Sequence, residues 1–216
     1  MQSAADSGLA DVAYGLFEIL LNRELQARGK RLVALVERGE DFREEIGELL
    51  AGFSADYPEL AGALAEELGG ADAIHALLQA GEGIVPTKTS RIYWIVQDAP
   101  GFVPGGEDDE RGGKWLIFAD RDHADALWKS VRDATAEGRL GISARVSTVK
   151  PNPDARDERI VIYVHTADWE DEDDVMRVRD VLRELGVEQR IGYKRNIETY
   201  HGEYSEKGKK VTFYSA

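Results

Sequence analysis

The stretch Arg159–Thr166 reads RIVIYVHT, and its period of two restricts the fold more than any other part of the chain. Ile160, Ile162, Val164 and Thr166 fall on one side, and Val161, Tyr163 and His165 on the other. Such alternation marks a strand with one core face and one face of different chemistry. Leu140–Val149 (LGISARVSTV) repeats the pattern, with Ile142, Ala144, Val146 and Thr148 opposite Ser143, Arg145 and Ser147, and Lys150 just beyond. Two strands of this kind require a sheet covered by helices on one side only.

The neighbouring segments supply that sheet. Arg91–Gln97 (RIYWIVQ) and Lys114–Ala119 (KWLIFA) are rich in β-branched and aromatic residues and read as strands. The loop between them, 98–113, carries prolines, glycines and an acidic run. Residues 120–137 form a helix with Ala124, Leu127, Trp128, Val131 and Ala134 on one face, stopped at Gly138. A second helix opens near Asp168. Its acidic first turn, Glu170 to Asp174, suits the positive end of the helix dipole, and Val175, Val178, Val181, Leu182 and Leu185 form its apolar face. Residues 191–194 and 210–214 close the set. The order β-β-α-β-β-α-β-β predicts an α+β fold: an antiparallel or mixed sheet of about six strands with its two long helices on one face. On the open face the alternation collects Arg145, Ser147, Tyr163, His165 and Lys194.

Residues 1–86 have a different character. Apolar residues at three- and four-residue spacing predict five short helices, at 9–28, 30–38, 41–53, 57–68 and 72–80, with Asp41 capping the third. This small all-helical region is expected to precede an α+β ligand domain at 87–216, with the link near 81–90. His75 stands alone on an apolar helix and is expected to serve packing. The helical region is expected to mediate contacts, by self-association or with a protein partner.

Charge and composition narrow the functions. The chain of 216 residues has a net charge of −14, of which −10 falls in residues 1–86 and −4 in the rest. So acidic a chain is poorly suited to gripping duplex DNA by its phosphates. Without cysteine it has neither disulfides nor thiolate metal sites. No apolar run is long enough for a bilayer span, no signal peptide is visible, and a cytoplasmic location is expected. Against this acidity, the stretch 190–214 carries Lys194, Arg195, Lys207, Lys209 and Lys210 interleaved with Tyr193, Tyr200, Tyr204 and Tyr214. Cations among phenols suit an anion pocket. On residue types alone they suit better a solvated hairpin whose lysines guard a sheet edge.

GKWLIF (113–118), Trp128, GRLG (138–141), ARVST (144–148), IVIYV (160–164) and YKRNIETYHGEY (193–204) resemble, in the same order, the basophilic-leukaemia-expressed protein family, of unknown function. Its prokaryotic relatives are labelled phosphothreonine lyase domains. The resemblance spans about 90–216 and implies the fold of translation initiation factor 4E, a curved, mostly antiparallel sheet of about six strands backed by two long helices. Where the family reads Ala-Lys-Val-Ser, this chain has Ala144-Arg145-Val146-Ser147 and keeps the positive charge.

Two functions follow as expectations. The first is a phosphothreonine lyase-like domain binding a phosphorylated peptide or small phospho-ligand. Eliminating phosphate needs a base, an acid and a cationic clamp. Lys194 would be the base and His165 the acid. Arg145, Lys150 and Arg195 would hold phosphate, Tyr200 would orient it, and Lys114, Ser147 and Tyr163 would line the site. The second is a non-catalytic module for a nucleotide, an RNA end or a phosphopeptide. Trp94, Trp115, Trp128 and Trp169 invite comparison with a base sandwich, but Trp128 and Trp115 fall on core faces. No cofactor is expected. No metal is expected either, since His165 and Asp168 lack a second histidine to complete a site.

Overall fold

The structure, a computed structural model, describes residues 4–103, 110–153, 158–200 and 212–216, with backbone alone at 4–7, 199 and 200. It divides into two compact units, Met1–Tyr93 with Thr148–Asn152 and Trp94–Ser147 with Pro153–Ala216.

The first unit contains α1 (Ala4–Ala27), α2 (Leu32–Glu37), α3 (Arg43–Asp56), α4 (Pro58–Leu68) and α5 (Ala71–Gln79). Their apolar faces meet in one core around Phe17, Leu21, Phe42, Ile46, Phe53 and Leu64. The fully buried residues of α1 recur at three- and four-residue intervals from Ala10 to Leu25, which is the periodicity that predicts the helix. The cap of α3 falls at Phe42 rather than Asp41. The Asp41 carboxylate instead accepts the Arg43 backbone N–H from one residue further out. The His75 ring packs on Phe42 with centroids 4.6 Å apart, the structural role expected of it. Glu82, almost fully buried, accepts the backbone N–H groups of Ser90 and Arg91 and fixes the turn that leaves this unit.

The second unit is an α+β domain. Its strands are β1 (Trp94–Asp98), β2 (Gly113–Ala119), β3 (Ser143–Ser147), β4 (Ile160–Thr166), β5 (Gly192–Arg195) and β6 (Tyr214–Ser215). They form one open sheet in the order β1-β3-β4-β2-β5-β6, and every pairing is antiparallel. Between the strands run α6 (Arg121–Ala136), α7 (Glu172–Glu184) and the short α8 (Asn196–Tyr200). Trp128 and Val131 of α6 and Val175, Val178 and Leu182 of α7 are buried, as are Trp115, Ile117, Ala144, Val146, Ile162 and Val164 of the sheet. Trp115 and Trp128 are core residues, as their periodicity implies. Burying each contributes roughly 4–6 kcal/mol of transfer free energy before chain entropy is counted. The Trp115 indole N–H donates to the Val175 carbonyl and ties β2 to α7.

Two glycines permit close approaches that set the register. A Cβ on Gly113 would strike the Tyr193 phenol, so only glycine lets that ring lie across β2 and reach Thr166 of β4, with hydroxyls 2.6 Å apart. A Cβ on Gly141 would strike the carbonyl oxygen of His165, which accepts the Ile142 N–H as β3 begins. Arg179, on the buried face of α7, donates to the carbonyls of Val187, Gln189 and Ala216. The apolar periodicity does not anticipate an arginine there. Its guanidinium is tolerated because three main-chain acceptors replace water.

Candidate functional site

The site follows from the sheet face opposite α6 and α7. On each strand the core residues alternate with residues of the other face, and the register aligns those alternates into rows across the sheet. One row runs Asp98, Ser143, His165, Lys114, Lys194 across β1, β3, β4, β2 and β5. The next runs Val96, Arg145, Tyr163, Leu116, Gly192 in the same strand order. Trp94 and Ser147 begin a third.

Arg145, Ser147, Tyr163, His165, Lys114 and Lys194, all expected from sequence, therefore share one face. Tyr163 is the hub of its aromatic cluster. Its ring stacks on Trp94 at 5.2 Å, the Arg145 guanidinium lies 5.1 Å from Tyr163 and 4.7 Å from Trp94, and the Lys114 ammonium is 5.9 Å away. Cations over rings at these distances contribute about 0.5–2 kcal/mol, more as water is excluded. Lys114 is only 6% exposed and its Nζ donates to Asn196 Oδ1 at 3.0 Å. Lys194 stands directly opposite on β5. Like charges facing each other across an antiparallel pair repel, and an anion between them relieves the repulsion.

His165 neighbours Lys114 in this row, with Arg145 close by. Burial, then the positive charges of Arg145 and Lys114, push the imidazolium pKa down from 6.5 to about 3. The ring is neutral near pH 7 and accepts or donates one hydrogen bond according to its tautomer. It is therefore not a ready proton donor for a leaving phosphate. Ser147 is committed to structure in part, since its hydroxyl accepts the Val161 backbone N–H.

Two candidates are not on this face, and a third is not described. Lys150 belongs to the first unit, where its Nζ is held by Asp11 Oδ2 at 2.8 Å and by the Arg91 carbonyl. Arg195 follows Lys194 and so turns to the opposite side of β5. Its guanidinium lies against Trp169 and Phe213 at 4.6 and 4.4 Å and is paired with Glu198. The Tyr200 side chain, and with it Tyr204, Lys207, Lys209 and Lys210, lies outside the described residues.

Two members of the face were not anticipated. Asp98 reads as the start of a loop because Ala99-Pro100-Gly101 follows it, yet it ends β1 and pairs with Ser143. Asn196 lies within the YKRNIETYHGEY stretch with no role of its own assigned from sequence, and it reaches Lys114 only through the β2–β5 pairing. Burial raises the Asp98 pKa.

The second unit is thus an α+β domain that presents a mixed cationic and aromatic face on an open antiparallel sheet. Residues 109–202 match the family described as basophilic leukemia-expressed protein Bles03. Among solved structures the chain is similar to C. elegans eIF4E-3 in a complex with the 4E-binding protein Mextli and a cap analog. The identity is 19% and the TM-score 0.43, over 57% of this chain and 68% of that one. For Ascaris suum eIF4E-3 with an m2,2,7G cap the figures are 18%, 0.41, 56% and 68%. For schistosome eIF4E with m7GpppA and 4E-BP they are 18%, 0.40, 53% and 65%. None of the described helices is long and apolar enough to cross a membrane.

Proposed function

We propose that the second unit is a non-catalytic binding module that holds a phosphorylated ligand on the open face of its sheet. The observation that carries this reading is the direct pairing of Lys114 with Lys194, next to His165 and one row from Arg145. Two ammonium groups across one strand pair suit a phosphate, which lysine binds as a point charge. A neutral imidazole beside them offers one more hydrogen bond without adding a charge.

Elimination of phosphate, the activity labelled in the prokaryotic relatives, has less support. Lys194 as base leaves His165 as the acid, and a group with a pKa of about 3 is deprotonated near neutrality. The arginine at 145 keeps a charge for binding but does not act as a base.

The test is a titration of a labelled phosphothreonine peptide by fluorescence anisotropy, with mass spectrometry of the recovered peptide. Saturable, phosphate-dependent binding with the peptide returned intact is expected. Lys194→Ala should weaken it at least tenfold while the circular dichroism spectrum and melting temperature stay close to the parent. Unchanged affinity in that folded variant removes the site. Loss of phosphoric acid from the peptide replaces binding by lyase chemistry, and selective binding of a nucleotide over the peptide replaces the ligand class.

A further inference from the structure

The row that contains the two lysines has an opposite charge at its far end. Across β1, β3, β4, β2 and β5 it reads carboxylate, hydroxyl, imidazole, ammonium, ammonium, from Asp98 to Lys194. Adjacent strands lie about 4.8 Å apart, so Asp98 is roughly 14 Å from Lys114 and 19 Å from Lys194. Between these ends the row offers only Ser143 and His165, the latter uncharged near neutral pH. The face is therefore polarised along one line.

Asp98 is a half-buried carboxylate at the end of β1. Among the described residues its side chain makes no ion pair, and burial without a compensating donor raises its pKa. By contrast Asp41, Asp168 and Asp174 are each matched by an arginine. A half-buried carboxylate without a donor costs free energy, and a donor carried by a ligand removes that cost.

We infer that the face reads an extended phosphopeptide laid across the strands, with its phosphate at Lys114 and Lys194 and a basic side chain three to six residues away at Asp98. The inference rests on the phosphate-binding reading above and adds the class and polarity of the ligand. An extended chain advances about 3.3 Å per residue, so the distance between the two ends corresponds to roughly four to six residues, shortened by the reach of a lysine side chain. A nucleobase is the weaker fit. Trp94 and Tyr163 stack on each other and Arg145 lies over both, so the pair forms no slot for a third ring.

The experiment uses the full chain and a set of phosphothreonine peptides on a glycine-alanine background. A single lysine is walked along each side of the phosphothreonine, with glutamine at the same positions as reference. One lysine position, three to six residues away on one side only, is expected to bind about tenfold tighter than its glutamine counterpart. Asp98→Asn should bring that lysine-to-glutamine ratio to about one, and Asp98→Lys should favour glutamate there instead. A flat lysine walk, or a ratio that survives Asp98→Asn, overturns the inference and leaves phosphate binding intact. Equal affinity for the unphosphorylated peptides removes the phosphate site, and this inference with it.

Discussion

His165 shows how far neighbours can move a single side chain from its ordinary chemistry. Its sequence context suggests an acid, but its place between Lys114 and Ser143 on a half-covered face keeps it neutral. The pKa is lowered in the folded state, so below about pH 6.5 the unfolded chain binds a proton that the native state excludes. Stability contributed by this group is therefore lost as the pH falls from about 6.5 towards 3, at up to about 1.4 kcal/mol per pH unit. Between pH 7 and pH 5 the parent should lose about 1–2 kcal/mol more stability than His165→Gln, as read by urea denaturation. Equal losses in the two proteins would mean that the ring titrates normally. A direct check is the imidazole carbon shift by NMR, which should not move over about pH 5 to pH 8.

Among the secondary structures, sequence and structure differ on where α7 begins. Its acidic entry is legible from sequence as a dipole-compensated N-terminus, but the helix begins at Glu172 rather than near Asp168. Asp171 is the cap, with its carboxylate accepting the Asp174 N–H at 3.1 Å, while Asp168 is engaged by Arg111. Asp171→Ala should cost about 1 kcal/mol and Asp171→Asn much less, since asparagine caps equally well. The measurement is a pair of thermal melts, with a drop of roughly 3–5 °C expected for the alanine variant alone. The strands show the opposite pattern. Alternation alone assigns the faces of β3 and β4, because a period of two survives errors of one or two residues at the ends. It fails at the ends themselves, which is why Asp98 reads as loop.

For the chain as a whole, the distribution of charge matters more than its sum. On the proposed function, a net charge of −14 would repel a phosphorylated ligand at long range, whereas Lys114, Arg145 and Lys194 would attract it only at contact. Salt screens the first effect more than the second, because it acts on charges separated by more than about 10 Å. Raising salt from about 20 to about 200 mM should therefore leave the association rate unchanged or faster and speed dissociation, as read by stopped-flow anisotropy. An association rate that falls steeply with salt would show that the local cations govern the approach.

The helices of the first unit, the one-sided sheet and the shared face of Arg145, Ser147, Tyr163, His165 and Lys194 were all legible in the chain, because burial imposes periods of 3.6 and 2 on local sequence. Which strands become neighbours is not a local property. The order β1-β3-β4-β2-β5-β6 puts residues 98, 143, 165, 114 and 194 in one row, a sequence of numbers that no window contains. The same non-local pairing supplies Asn196 to Lys114. In the other direction, Lys150, beyond the end of β3, belongs to the helical unit beside Asp11, and the strand alternation turns Arg195 away from the face. Local periodicity decides which side of a strand a residue faces; only the pairing of distant strands, set by the packing of the whole sheet, decides what stands beside it.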